Sequence, residues 1–446
     1  PVHKGQGEDG KAAGAMDVTN LSRGEAQTAV LAALGHPHLL PPSAAAPVPF
    51  YRWRGGGPAV GNATADACTN LTLGQRDLPP RARLEHISHV HKIAGEGYAH
   101  MAMVEKMPAG ALWKWLVMWQ ASSGVEGTGD QELEYALSDS LRTWGGKPLR
   151  VPIPKARGRD AAAVWSPVLH LSPRGELWLF FSQSTSCLRH NHGQPPRWAP
   201  GGDIAYMKSV DGVTWTRPVV ILTQAAINGV PKVIANRMVV HSSSGAWVLP
   251  YWSERPHQGL GGACKPRGGT ASGVLVSRDE GATWQPHGKL RPKGHGRVIE
   301  GSVAEMPGGD ILQLFRTNVG CLMRSVSRDG GETWSDPECS SLPNPSSKAS
   351  ITTLRGYGAA VAFNDDKRHR AHLRVAWTAD GVRYHRAAQV EAGTTSGSMY
   401  QHYPTVLQEG CTVIVAYSWM HHPNHWVRKL KGGGIKLAEL FLTPAP

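Results

Sequence analysis

The stretch Ser277-Arg-Asp279-Glu-Gly281-Ala-Thr283-Trp284 is followed by a second copy of the same pattern, Ser327-Arg-Asp329-Gly-Gly331-Glu-Thr333-Trp334. In such a turn, Ser and Asp side chains hydrogen-bond the backbone, Gly takes a positive φ and Trp packs between sheets. Three looser versions begin at Ser209, Thr378 and Ser138, and the last has lost the central Asp. Five related turns at similar offsets indicate one repeated structural unit.

The units that contain these turns also contain pairs of apolar strands. Each pair is joined by a Gly turn, which is the pattern of a β-hairpin. Six units of ~50 residues with four strands each predict an all-β fold, a six-bladed β-propeller of four-stranded antiparallel sheets, in which every sheet buries its faces against its neighbours. The hairpins begin at His100, Pro167, Met238, Ser302, Ala349 and Thr405.

Residues 1–90 differ in composition from the rest of the chain. They are rich in Gly, Ala and Pro, so we predict a low-complexity N-terminal extension or stalk, followed by the propeller at 91–446. The 446 residues are 41% hydrophobic, which is enough for a large core. No apolar run reaches the ~18 residues of a membrane span, so we expect none in this chain. The chain begins at Pro1 without Met, so we expect an incomplete or processed N-terminus.

The net charge of +13 leaves three interpretations open. It fits nucleic-acid binding, attraction of an anionic sugar, or a basic surface that is simply solvated. The basic residues form no block except Lys367-Arg368-His369-Arg370. We therefore predict an acidic glycan or glycoconjugate as partner and no nucleic acid.

Sequons and cysteines favour the secretory pathway or the extracellular space. Asn20-Leu-Ser, Asn62-Ala-Thr and Asn70-Leu-Thr match the acceptor triplet for N-glycosylation, so we expect a glycoprotein. The six cysteines form no CxxC pair, which disfavours a zinc or thioredoxin-like motif. Cys187 and Cys264 lie in equivalent insertions of neighbouring repeats, and we predict a bridge between them.

The repeated turns resemble the Asp-boxes of bacterial neuraminidase repeat, or sialidase-like, proteins. The resemblance implies that Asp279 and Asp329 lie at blade peripheries and act in turns rather than in catalysis. It also implies a site at one mouth of the central channel, built from the starts of innermost strands and the loops after second strands. The function expected from it is a glycoside hydrolase that releases a terminal acidic, sialic-acid-like sugar.

The best local resemblance runs from Glu300 to Arg316. In the similar sialidase stretch, a Glu opens one strand and polarises a tyrosine nucleophile, and an Arg ends the next strand and grips the substrate carboxylate in a bidentate contact. Tyr403 opens the last repeat, where similar proteins place the nucleophile, and Tyr400 is its rival. A tyrosine with a pKa near ~10 needs a base, and Glu300 is placed to supply it.

The remaining site residues also come from the resemblance. Arg368 and Arg370 lie in the loop that commonly holds a further carboxylate-binding Arg. The general acid is expected after the first repeat, with Asp130 as first choice and Glu126 as second. Lys232, four residues before Asn236, is similar to a Lys-Asn segment that binds ligand oxygens.

The chain departs from authentic sialidases in its first repeat. They carry a Phe/Tyr-Arg-Ile-Pro motif there, whereas this chain has Tyr98-Ala99-His100-Met101 and so lacks the central Arg. Two alternatives therefore stay open: a polysaccharide lyase or uronate- or rhamnose-directed enzyme with His100 as base, and a non-catalytic binding propeller. We expect a monomer with no cofactor and no metal.

Overall fold

A computed structural model of the chain describes residues 79–93, 97–155, 162–191, 194–227, 229–254, 270–394, 398–421 and 432–443. These residues form six small antiparallel sheets of four main strands, the blades of a six-bladed β-propeller. No helix occurs in the described ranges, and hence none that would cross a membrane. The predicted fold class is confirmed.

The strands follow one another in blade order, except that the first strand belongs to the last blade. That strand is β1 (Arg81–Lys92). Blades one and two contain β2 (Tyr98–Lys106), β3 (Trp115–Ser122), β4 (Glu132–Ser138), β5 (Leu149–Arg150), β6 (Val164–Leu171), β7 (Leu177–Gln183), the extra hairpin β8 (Leu188–Asn191) and β9 (Gln194–Trp198), β10 (Asp203–Ser209) and β11 (Val219–Leu222).

Blades three and four contain β12 (Lys232–Val233), β13 (Val239–Val240), β14 (Trp247–Ser253), β15 (Ala271–Ser277), β16 (Gln285–Leu290), β17 (Ile299–Glu305), β18 (Ile311–Arg316), β19 (Cys321–Ser327) and β20 (Glu338–Pro343). Blades five and six contain β21 (Ser350–Leu354), β22 (Gly358–Asn364), β23 (Leu373–Thr378), β24 (His385–Glu391), β25 (Met399–Glu409), β26 (Thr412–His421) and β27 (Gly432–Thr443).

Strand β1 closes the ring. It pairs antiparallel with β27 from Arg81 opposite Thr443 to Lys92 opposite Gly434, so the two ends of the described chain share blade six. The boundary predicted at residue 90 falls inside β1, and residues 81–90 belong to the propeller rather than to the extension. This outermost strand is mostly polar and exposed, so it lacks the apolar run by which sequence analysis finds strands. Residues 1–78 lie outside the described ranges.

Apolar side chains fill the space between neighbouring blades. The largest cluster joins blade one, with Leu116 and Tyr135, to blade two, with Phe180, and to blade three, with Leu275 and Trp284. Each sheet thereby buries both faces except at the rim. This packing explains why the Trp that ends an Asp-box falls between sheets.

The Asp-boxes form turns, as predicted. The structure places these turns between the third and fourth strands of a blade. In blade three, the Asp279 carboxylate accepts the Thr283 N–H at 2.8 Å and the Thr283 hydroxyl at 2.6 Å, and these bonds lower the pKa of Asp279 to about 2. Gly281 has a φ of 88°, and a Cβ there would lie 2.8 Å from the ring of Trp178. Trp284 donates its indole N–H to the Gly281 carbonyl at 3.0 Å. Each residue of the motif therefore has a turn or packing role.

Four cysteines among the described residues form disulfide bonds. Cys321 and Cys339 form a disulfide between the third and fourth strands of blade four. Cys187 and Cys411 are also disulfide-bonded. The partner predicted for Cys187, Cys264, lies outside the described residues.

The Asp-box of blade two offers a test of the turn role. Asp211 is buried, and its carboxylate accepts the backbone N–H groups of Val213 at 2.8 Å and Thr214 at 2.7 Å. We expect Asp211→Ala to lower the free energy of unfolding by about 1–3 kcal/mol, because both donors lose their acceptor. Denaturant titration measures this, with the exposed Asp139→Ala of the degenerate first box as control. Equal losses in the two variants would contradict the turn role.

Candidate active site

Innermost strands of several blades begin around one cavity. Its volume is about 350 Å³, and its wall includes residues near the starts of β2, β17 and β25. Six of the residues predicted from the sequence line it together: His100, Glu126, Glu300, Arg316, Arg370 and Tyr403.

A β-bulge near the start of the innermost strand shapes the cavity in four blades. The strand registers shift at these points, and one residue in each bulge has a positive φ: Met101 (61°), Ser166 (48°), Glu300 (51°) and Tyr403 (55°). A bulge re-aims side chains relative to a regular strand. All four residues line the cavity, so the bulges direct the polar groups of blades four and six into it.

Buried polar side chains from the preceding blade hold these bulges. Such positive-φ conformations cost about 1–3 kcal/mol each and persist only where the surroundings determine them. Each holding side chain is almost completely inaccessible to solvent. The four contacts are the Gln120 amide oxygen with the Ser166 N–H (3.0 Å), the Asn236 amide with the Glu300 carbonyl (3.0 Å), the Lys348 ammonium with the Pro404 carbonyl, and the Thr405 hydroxyl with the Ala102 carbonyl (2.8 Å).

Tyr403, Glu300 and Arg316 meet in the cavity. Arg316 Nη1 donates to Glu300 Oε1 at 2.9 Å and also to the Tyr403 hydroxyl. Glu300 Oε2 is buried and has no hydrogen-bond partner among the described residues. Burial raises the pKa of Tyr403, and Arg316 partly offsets this effect. The group thus combines a protonated phenol, a carboxylate oxygen that lacks a donor and a fixed cation.

Arg370, and not Arg368, joins this group. The Arg370 guanidinium lies 5.2 Å from the centre of the Tyr403 ring, and that of Arg316 lies 5.6 Å from it. Arg370 Nη2 donates to the Ser346 carbonyl at 2.9 Å. Arg368 is exposed and does not line the cavity. Two arginines therefore flank the tyrosine.

His100 packs against Tyr403 in the cavity. Its ring centre is 4.2 Å from that of Tyr403, and its Nδ1 lies 2.9 Å from the Ser418 hydroxyl. Burial, followed by the charges of Arg370, Lys348 and Arg316, holds the pKa of His100 well below its usual value. The residue is therefore a neutral imidazole at physiological pH.

Of the two acid candidates, Glu126 lines the cavity. Its side chain is exposed to solvent at the cavity, and the desolvation that the neighbouring protein still imposes raises its pKa. Gln120 donates to Glu126 Oε1 at 3.1 Å. Asp130 instead lines a separate cleft of about 430 Å³ and accepts the Ser123 N–H at 2.7 Å. Both carboxylates belong to one loop, and its sequence carries no signal for which of them faces inward.

Lys232 lies outside the cavity wall. Its buried ammonium group donates to the carbonyl of Gln224 at 2.8 Å and to that of Ala226, and burial lowers its pKa to about 8. Asn236, the other half of the Lys-Asn segment, holds the bulge at Glu300. The pair thus contacts protein backbone.

Among the cavity residues that the sequence analysis did not single out are Trp252, Glu254 and Arg297. Trp252 donates its indole N–H to Glu254 at 2.7 Å, and burial raises the pKa of Glu254. Arg297 also lines the cavity. A signal existed for Glu254, because it directly follows the second main strand of its blade, as Arg316 ends the second strand of blade four. Arg297 lies three residues before Glu300 in an irregular stretch without a pattern.

Sequence comparison assigns most of the chain to one family model. The model, described as the BNR repeat-like domain, matches residues 114–415. A search among curated proteins gives no match.

Solved structures share the fold at low sequence identity. A protein of unknown function from Dyadobacter fermentans DSM 18053 is 16% identical with a TM-score of 0.61, and the alignment covers 82% of this chain and 100% of that one. The NanB sialidase from Streptococcus pneumoniae is 13% identical with a TM-score of 0.57, covering 81% and 71%. The intramolecular trans-sialidase from Ruminococcus gnavus is 14% identical with a TM-score of 0.55, covering 79% and 97%. The TM-scores show that this chain shares its fold with these proteins despite the low sequence identities.

The electrostatics of the site can be tested on His100. We expect it to titrate well below the ~6.5 of an unperturbed histidine. Replacing Arg370 by Leu should raise its pKa because one neighbouring positive charge is lost, whereas Arg368→Leu should leave it unchanged. NMR of the ring protons against pH measures both. A His100 titration near ~6.5 in the unmodified protein would contradict the described environment.

Proposed function

Because the chain belongs to the BNR repeat-like domain family, we propose that it is a sialidase-like exo-glycosidase that releases a terminal acidic sugar from glycans. The observation that carries the proposal is the contact of Arg316 with both the Glu300 carboxylate and the Tyr403 hydroxyl inside one cavity. Two of the proteins with this fold are named as a sialidase and a trans-sialidase, which adds support.

Tyr403 acts as the nucleophile. Its oxygen bonds to the anomeric carbon while the glycosidic C–O bond breaks, and its proton passes to Glu300 Oε2, the carboxylate oxygen that lacks a donor. Glu126 protonates the leaving oxygen. Water then attacks the glycosyl–tyrosine bond with Glu126 as base, and Tyr403 regains its proton from Glu300, which restores every group.

Glu126, rather than Asp130, is the general acid in this scheme. A carboxyl group whose pKa is raised stays protonated to a higher pH, which an acid that works near neutrality requires. Glu126 also shares the cavity with Tyr403, whereas Asp130 faces another cleft. The two candidates thus differ in both position and protonation.

Arg316 and Arg370 bind the substrate carboxylate. They flank the Tyr403 ring, and guanidinium groups pair with carboxylates through charge-assisted hydrogen bonds. His100 contributes a neutral imidazole in place of a third cation. The clamp therefore has two charged members, which suits a substrate with a single carboxylate.

A secretory or extracellular location and a monomeric state complete the proposal. The Cys321–Cys339 disulfide supports an oxidising compartment. One chain supplies every residue of the proposed site.

The nucleophile can be tested with a matched pair of variants. We expect Tyr403→Phe to reduce hydrolysis of a fluorogenic sialic acid glycoside by at least about a thousandfold, because the attacking oxygen is lost. Tyr400→Phe, in the same segment but outside the cavity wall, should retain activity. Activity that survives in Tyr403→Phe would refute the mechanism. A purified protein without turnover on any acidic glycoside would refute the function.

The acid can be tested by pH dependence and leaving group. Activity should fall as the pH rises through the raised pKa of Glu126, since the carboxyl then loses its proton. In Glu126→Gln this alkaline limb should disappear, with a loss of about 10²–10⁴-fold on an alkyl glycoside and much less on an aryl glycoside, whose leaving group needs little protonation. Asp130→Asn serves as control. A larger loss in Asp130→Asn than in Glu126→Gln would reverse the assignment.

A lyase is the second candidate function, favoured by the neutral His100 against the Tyr403 ring. In β-elimination, His100 takes the proton from C5 of a uronate, the C4–O bond breaks as the Tyr403 hydroxyl protonates the leaving oxygen, and a C4–C5 double bond forms. Incubation with uronate polysaccharides, followed in the ultraviolet, detects this unsaturated product. Its absence, or its formation by His100→Gln, would exclude this candidate.

A further inference from the structure

Blade five contributes Arg370 of the proposed clamp but neither the nucleophile nor its base, and it stands between the two blades that do. Glu300 belongs to β17 of blade four and Tyr403 to β25 of blade six, and β21 of blade five packs against both strands. The segment Asn344–Lys348 directly precedes β21. Several of its hydrogen bonds run to cavity residues or to residues close to them in the chain.

Ser346 binds both arginines of the proposed clamp. Its hydroxyl accepts from Arg316 Nε at 3.3 Å and Nη2 at 3.2 Å, and its carbonyl accepts from Arg370 Nη2 at 2.9 Å. Ser346 has a φ of 54°, a conformation that a serine rarely adopts without support. One residue thus fixes the distance between two guanidinium groups that would otherwise repel each other.

Asn344 anchors this segment to the strand end that carries Arg316. Its buried amide accepts the Thr317 N–H at 3.2 Å and donates to the Ser347 carbonyl at 2.7 Å. Thr317 follows Arg316 directly in the chain. The segment and the arginine are therefore held as one unit.

Lys348 fixes the bulge of Tyr403. Its ammonium group is buried and donates to the Pro404 carbonyl and, at 3.2 Å, to the Thr405 hydroxyl. Burial lowers the pKa of Lys348 to about 7, an effect that the Glu300 carboxylate opposes. A buried amine is costly, and a methionine would fill the same space without that cost. The lysine therefore supplies something other than packing.

We propose that Ser346 and Lys348 are positioning residues with separate tasks. Ser346 sets the spacing of Arg316 and Arg370, and so governs binding of the acidic sugar. Lys348 holds the bulge that presents Tyr403, and so governs the chemical step. The proposal rests on the glycosidase function proposed above and extends it to two residues that touch no substrate.

The two tasks predict effects on different kinetic constants. Ser346→Ala should raise KM by about tenfold and leave kcat within about twofold, because Arg316 loses the hydroxyl that holds it in ground state and transition state alike, whereas the backbone carbonyl still accepts from Arg370. Lys348→Met should lower kcat by about a hundredfold and leave KM within about threefold, because the nucleophile loses its alignment. Steady-state kinetics on a sialic acid glycoside measure both.

The chain offers a matched control for each variant. Ser347→Ala removes a buried hydroxyl that has no hydrogen-bond partner among the described residues. Lys232→Met removes the other fully buried lysine, whose ammonium group contacts backbone away from the cavity. Both should leave kcat and KM unchanged. If Lys348→Met does not fold, Lys348→Gln, whose shorter polar side chain lacks the ammonium group, replaces it in the test.

A second readout does not depend on activity. The His100 ring packs 4.2 Å from Tyr403, so the NMR shift of its Cε1–H group reports the placement of the tyrosine ring. In protein labelled at histidine Cε1, with His100 assigned through His100→Gln, spectra are taken at about pH 9, where both Lys348 and His100 are uncharged, so that loss of the lysine charge does not itself move the signal. We then expect Lys348→Met to move this resonance and Lys232→Met to leave it in place.

The outcomes separate this proposal from the glycosidase function. The proposal is supported if Ser346→Ala changes mainly KM, Lys348→Met changes mainly kcat, and neither control variant changes either constant. It is overturned if the Ser346 and Lys348 variants have the same effect, or if the controls share their effects. If the unmodified protein hydrolyses no acidic glycoside, the proposed function fails and the NMR result alone decides. A shifted His100 resonance in Lys348→Met then supports the positioning role, and an unmoved one rejects it.

Discussion

The site depends on hydrogen bonds that cross from one blade to the next. In four blades, a bulge with a positive φ near the start of the innermost strand turns side chains towards the cavity. Such a conformation is unfavourable for residues such as Glu300 and Tyr403, so it needs outside support. Asn236 and Lys348 supply that support from neighbouring blades. The ring closure through β1 is therefore also a condition for the site, because it holds all blades in fixed contact.

The buried charges of the site follow from the same arrangement. Arg316 donates a hydrogen bond to Glu300. Burial by itself would lower the pKa of Arg316, but the adjacent Glu300 carboxylate and Tyr403 phenol together outweigh it, so the pKa is raised. Burial, together with the positive charges of Arg370 and Lys348, keeps His100 neutral. A cavity of this kind is organised before a ligand enters, which is the condition for catalysis by alignment.

Local motifs and long-range placement were predictable to different degrees. The Asp-box of Asp279 and the hairpins were readable because turn chemistry and strand alternation depend on residues close in the chain. Glu300, Arg316 and Tyr403 were found through a family resemblance and share the cavity. Asp130 was preferred over Glu126, since loop sequence does not encode which side chain faces inward. Polar outer strands such as β1 carry no apolar signal at all.

By itself, the sequence determined the repeat, the turn chemistry and hence the propeller, because each of these arises from interactions within about one blade. It also contained the residue types of a phenol, a carboxylate and guanidinium groups at positions that a resemblance could mark. Only the tertiary structure decided which of them meet. Lys232 and Lys348 are both buried lysines, yet Lys232 contacts backbone carbonyls of the loop just before its own strand, whereas Lys348 reaches the bulge of Tyr403 in the next blade. The reason is physical: partners far apart in the chain come together only when the sheets stack around the channel, and burial then fixes their charges.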